Sequence, residues 1–162
     1  MAHRLKDNQA EVLIPIVDNS KAQTQAAINI LHNYGPIIIT KLISLDNQQY
    51  RDLSREYNII LAETVNHNDR LNKIRHMINI KKSADKILKA IDKSTDKQTK
   101  LIRELNHFRA KLGKIQESIS TVISVKQPKY IQYALGDLSR ELHPIVDSLT
   151  YLNEDTIQWL DE

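Results

Sequence analysis

Residues 101–122 read LIRELNHFRAKLGKIQESISTV, and their apolar members Leu101, Leu105, Phe108, Leu112, Ile115, Ile119 and Val122 recur in alternating steps of four and three. Charged side chains such as Arg103, Glu104, Lys111, Lys114 and Glu117 fill the positions between them. A repeat of this period keeps one stripe of a long helix turned towards a neighbour, as in coiled coils. The stripe demands another helix against it and carries no chemistry of its own.

Comparable seams lie on either side. Upstream, Tyr50, Leu53, Tyr57, Ile60, Thr64, His67, Leu71, Ile74 and Ile78 continue in unbroken steps of three and four, with Thr64 and His67 forming one polar layer in the stripe. Downstream, Ile131, Leu135, Leu138, Leu142, Ile145, Leu149 and Leu152 form a third seam, with Pro144 expected to kink its helix near Leu142 or His143. The register slips by one residue around Asn79–Ser83, which reads as a turn or sharp bend. After it a new set runs Ile80, Ala84, Ile87 and Ile91, and passes through polar Ser94 and Gln98 before joining Leu101. Thr95 and Gln98 have capping-box spacing, so residues 80–125 form either one helix or two with a fresh start near Ser94. Val125-Lys126-Gln127-Pro128 closes this stretch, because Pro128 has no backbone N–H and restricts Gln127.

The remaining segments are shorter. Glu11–Val17, interrupted by Pro15, reads as a lead-in packed on the body, and the helical pattern starts at Ser20, whose partner Gln23 completes a capping box. Gly35 and Pro36 are expected to end that helix. Ile37–Leu45 is apolar almost all round and reads as a buried helix, and Asp46 is expected to cap the next one. Asn153 is expected to cap a last short helix bearing Ile157, Trp159 and Leu160.

Seams of roughly 22 to 30 residues make helices about 35–45 Å long that need one another for burial. The expected fold is all-α: an antiparallel four-helix bundle with long heptad-patterned helices and short terminal helices. It forms a single domain over residues 1–162, with residues 1–19 as a lead-in that is partly disordered at its start. A helical hairpin that dimerises to complete its bundle is the rival arrangement.

Composition excludes more than it assigns. With three Gly and four Pro, tight-turned all-β and α/β folds are disfavoured; with one Phe and one Trp, little aromatic surface exists to stack on bases or sugars. Cysteine is absent, so disulfides and thiolate metal sites are excluded. No signal segment or bilayer-length apolar run is present, and the expected location is cytoplasmic. The net charge of +3 is unevenly spread: 9 basic and 8 acidic side chains in residues 1–80, 13 and 5 in 81–129, and 1 and 7 in 130–162. A basic segment followed by an acidic one attracts it when the chain folds back.

Lys82, Lys86, Lys89, Lys93, Lys97 and Lys100 fall within an arc of about 80° on one helix face. This is the candidate anion- or partner-binding face, suited to an acidic partner or an anionic membrane surface. The competing reading is an ordinary solvated face, with Asp85 before Lys89 and Asp96 before Lys100 as supporting i,i+4 pairs. No interleaved aromatics, Arg-rich recognition helix or zinc spacing accompanies it, which argues against sequence-specific nucleic-acid binding. The polar layer of Thr64 and His67 reads chiefly as a register-fixing core contact, and otherwise as a pH-sensitive contact or an interhelical pocket. Glu104-Leu-Asn-His107 has the Glu-x-x-His spacing of di-iron bundles, but its required second copy is missing, so no metal or cofactor is expected. No Gly-rich phosphate loop, Gly-flanked Ser or helical His pair is present, and no enzyme activity is expected.

Within Leu138–Thr150, the stretch Arg140-Glu141-Leu142-His143 resembles the segment around the phosphoacceptor histidine of histidine-kinase dimerisation domains. That resemblance implies a phosphorelay role with His143 as acceptor, although Pro144 stands where the family has an acidic residue. The leading expectation is a non-enzymatic helical-bundle interaction or scaffold module that binds another helical protein, or itself, through helix faces.

Overall fold

A computed structural model of the chain describes residues 9–42, 48–120 and 128–161. Four long helices account for nearly all of them: α1 (Gln9–Pro36), α2 (Gln48–Asn79), α3 (Ala84–Ser120) and α4 (Pro128–Asp161), with a π-helical segment, Ile37–Leu42, continuing α1. The longest, α3, has 37 residues and therefore spans about 55 Å. Each helix packs on its chain neighbours and α1 closes the ring against α4. Cross-helix pairs fix the directions as antiparallel. Arg75 of α2 meets Asp18 of α1 while Tyr57 donates to the Leu31 carbonyl, and on the next interface Lys111 of α3 meets Glu56 while Gln98 meets His67. The all-α antiparallel four-helix bundle is the observed fold.

The heptad seams are its core. All nine α2 seam residues are buried, as are Leu101, Leu105, Phe108, Leu112 and Ile115 of α3. On α4 the seam from Ile131 to Leu149 is buried and Leu152 is half-buried. Ile119 carries no described side chain, and Val122 lies outside the described residues. At roughly 1.5–3 kcal/mol per fully buried large aliphatic side chain, this internal pairing of seams dominates the fold's stabilisation.

Several expected boundaries are corrected. Helix α1 does not start at Ser20 but runs unbroken from Gln9 through Pro15. Pro15 is exposed and near the helix start, where one backbone bond is lost, and the burial of Leu13 and Val17 outweighs it. The α-helix ends at Pro36 as expected, but not through a left-handed glycine, since neither Gly35 nor any other described glycine has a positive φ. Gly35 is needed for close approach instead: a Cβ there would collide with the Tyr57 hydroxyl, which donates to the Leu31 carbonyl at 2.8 Å. Past Pro36 the chain widens into the π-helical segment and buries Ile38 and Leu42. The expected cap at Asp46 and the closure over Val125–Gln127 fall outside the described residues.

The register slip at Asn79–Ser83 is a turn. Lys82 N–H donates to the Met77 carbonyl and Lys81 N–H to the Ile78 carbonyl, closing α2 as a Schellman motif with Lys81 left-handed at φ 54°. Ile80 therefore sits in the turn, half exposed, and does not begin the α3 seam as its spacing suggests. No break occurs at Ser94; Ala84–Ser120 is one helix. Nor does Asn153 cap a terminal helix, because α4 continues through both Pro144 and Asn153 to Asp161, and the expected short terminal helices are absent from the described residues.

The core has two apolar blocks. The larger runs from Leu149, Leu101 and Ile60 to the far end at Ile131 and Ile115. The smaller gathers Leu13, Val17, Ile74, Ile78, Ile87 and Ile91, with Trp159 and Leu160 packed against it. Polar side chains separate them.

Candidate functional site

All four helices contribute to that separating layer: Ser20 and Thr24 from α1, Thr64 and His67 from α2, Ser94, Thr95 and Gln98 from α3, and Asn153 and Thr156 from α4, all buried. His67 is fully buried, and its Nε2 lies 2.7 Å from Gln98 Oε1. Gln98 Nε2 in turn donates to the Leu149 carbonyl at 3.2 Å, which points its oxygen at the imidazole and places the ring proton on Nε2. One chain of hydrogen bonds thus ties α2 to α3 and α4. Burial holds His67 neutral, lowering its pKa to about 4; the Gln98 bond opposes this in part, and the guanidinium of Arg70, 3.4 Å from Nδ1, adds to it.

The hydroxyls of Thr64, Thr95 and Thr156 each donate to the carbonyl one turn back in their own helix. Asn153 Nδ2 donates to Thr99 at 2.6 Å, while its Oδ1 has no protein partner among the described residues. Beside these groups is a cavity of about 30 Å³, lined on its polar side by Ser20, Ser94, Thr95, Gln98, Asn153 and Thr156. That volume suits water-sized molecules and is far below the few hundred Å³ of a small-molecule pocket.

The Thr64/His67 pair is legible in the sequence as two polar seam positions, and Ser94 and Gln98 stand out the same way. Ser20, Thr95 and Asn153 read as helix caps instead. Small hydroxyl and amide side chains serve at caps and in polar layers alike, and only the tertiary contacts separate the two uses.

On the outside, Lys82, Lys86, Lys89, Lys93, Lys97 and Lys100 are all exposed; Lys82 lies in the turn preceding α3 and the others lie on the helix. The row occupies the α2-facing flank of α3, because Lys93 precedes Lys111 by five full helical turns and Lys111 pairs with Glu56 of α2. Asp85 and Asp92 occupy the other flank, two heptads and one heptad before Thr99, which contacts Asn153 of α4. The i,i+4 pairs Asp85–Lys89 and Asp96–Lys100 do not close to 4.0 Å; Lys100 instead lies 4.0 Å from Glu104. Among the described residues no carboxylate comes within 4.0 Å of Lys82, Lys86, Lys89, Lys93 or Lys97, so the acidic α4 does not pair with this row directly.

His143 is exposed on α4, with Nε2 3.2 Å from Asp147 Oδ2 one turn on. Glu104 and His107 do not converge: Glu104 is half-buried beside Lys100, and His107 is exposed. No group of three or more His, Cys, Asp or Glu side chains suited to a metal ion occurs among the described residues. Among them, too, no helix is long and apolar enough to cross a membrane. Comparison with protein-family models, with curated protein sequences and with solved structures finds no match to this chain.

Proposed function

We propose that the protein is a non-enzymatic interaction module that docks an acidic partner protein on the lysine-bearing flank of α3. The observation that carries this reading is the row from Lys82 to Lys97, exposed and without a carboxylate at ion-pair distance, on a bundle whose apolar seams are already used internally. Like charges held along one rigid face repel one another and raise the local potential, and an acidic surface relieves both effects. The row from Lys86 to Lys100 extends about 21 Å, the length of several turns of a partner helix.

The test is partner capture from native cells by the wild-type chain and by a Lys86→Glu, Lys89→Glu, Lys93→Glu, Lys97→Glu variant, with helicity checked by circular dichroism. The expected result is an unchanged fold and loss of a salt-sensitive acidic partner, with affinity reduced on the order of tenfold or more. Capture of the same protein by both chains would contradict the reading. Salt-sensitive binding of the wild-type chain to phosphatidylserine vesicles, without any captured protein, would transfer the face to an anionic membrane surface.

A further inference from the structure

We infer that the cavity among the four helices, with its polar wall on α1, α3 and α4, is a specific hydration site, occupied by about two water molecules and anchored by Asn153 Oδ1. Three observations converge on it. The cavity's volume of about 30 Å³ exceeds the 10–15 Å³ or so that one water requires and leaves no room for an organic ligand. Asn153 lines it, is 6% exposed, and has an acceptor oxygen with no protein partner among the described residues, while one of its two Nδ2 protons goes to Thr99. Among the other polar groups on the wall, acceptor lone pairs outnumber the protons left to donate. Thr95 and Thr156 give their hydroxyl protons to the Ile91 and Leu152 carbonyls, and Gln98 uses one of its two Nε2 protons on the Leu149 carbonyl and its Oε1 on His67.

The polar part of the wall, set against Leu71 and Ile74 on the α2 side, therefore presents more lone pairs than protons and suits a small occupant that donates hydrogen bonds. It carries no formal charge, so a neutral donor matches it better than a cation. Water supplies two protons, reaches Asn153 Oδ1 and a threonine oxygen together, and accepts from the rotatable hydroxyls of Ser20 or Ser94. The site links α1, which has no direct part in the His67–Gln98–Leu149 chain, to α3 and α4.

Magnetic relaxation dispersion of water oxygen, compared between wild type and Asn153→Leu, tests this site. The wild type is expected to show a long-lived component corresponding to about two waters, with water-to-amide cross-relaxation at the Asn153 side chain, and the variant is expected to lose that component. If Asn153→Leu does not fold, Thr156→Val, which keeps the volume and removes one acceptor, is expected to reduce it. Identical dispersion in the wild type and the folded variant would overturn the site. So would a saturable shift of the Asn153 amide on adding ammonium chloride but not sodium chloride, which would make the occupant an ammonium ion.

Discussion

His67 sits at the centre of the bundle as a neutral base, and its burial makes a definite statement about acid stability. Its pKa lies near 6.5 in an unfolded chain and is lowered to about 4 in the bundle, so protonation favours the unfolded state. For a group shifted in this direction the stabilisation is complete above pH 6.5 and is lost as the pH falls towards 4. The guanidinium of Arg70, beside Nδ1, opposes a positive charge on the ring. We expect wild type to lose about 2 kcal/mol of unfolding free energy between pH 7 and pH 5 through this residue alone. Urea titration of wild type and His67→Gln at both pH values checks this, and an equal loss in the two chains would assign the acid sensitivity elsewhere. The sequence shows His67 and Thr64 as polar members of a seam, but not the partner: Gln98 lies 31 positions away, and its reach depends on how α2 and α3 align.

Helices, as elements, are legible from periodicity, and their ends are much less so. The apolar spacing of Tyr50–Ile78, Leu101–Ile115 and Ile131–Leu149 maps directly onto buried stripes because burial is what the period encodes. Ser20, Thr95 and Asn153 mislead for the opposite reason. Each has cap chemistry, yet each lies mid-helix, where flanking apolar contacts override the local preference. The α2–α3 turn shows the same competition. A left-handed C-terminal position favours Gly, and Lys81 occupies it under strain, so the sequence gives no turn signal beyond the register slip. Lys81→Gly is accordingly expected to stabilise the bundle by about 1 kcal/mol, read as a higher urea midpoint at unchanged slope. A lower midpoint would mean that the Lys81 side chain contributes contacts outweighing its backbone strain.

At the scale of the whole molecule, four amphipathic helices close a ring in which each seam is answered within the same chain. The strongest sequence feature, the stripe that begins at Leu101, is for that reason a core element from Leu101 to Ile115 and not a docking surface there. What remains outside is largely polar, with scattered exposed apolar side chains such as Val12, Ile59, Tyr133 and Tyr151, and unevenly charged, with the lysine row on one flank of α3 and Asp85 and Asp92 on the other. A linear sequence shows the lysine arc, but not which neighbouring helix borders it. That border decides whether the row is neutralised, and here the α2 side leaves it unpaired among the described residues. The functional proposal rests on this closure, because a half-bundle completing itself with a second copy would present the same seams as an interface. Sedimentation equilibrium of the purified chain across a wide concentration range tests the closure most directly. The closed bundle predicts a concentration-independent mass of 18.7 kDa; a dimer that dissociates only on unfolding would contradict it.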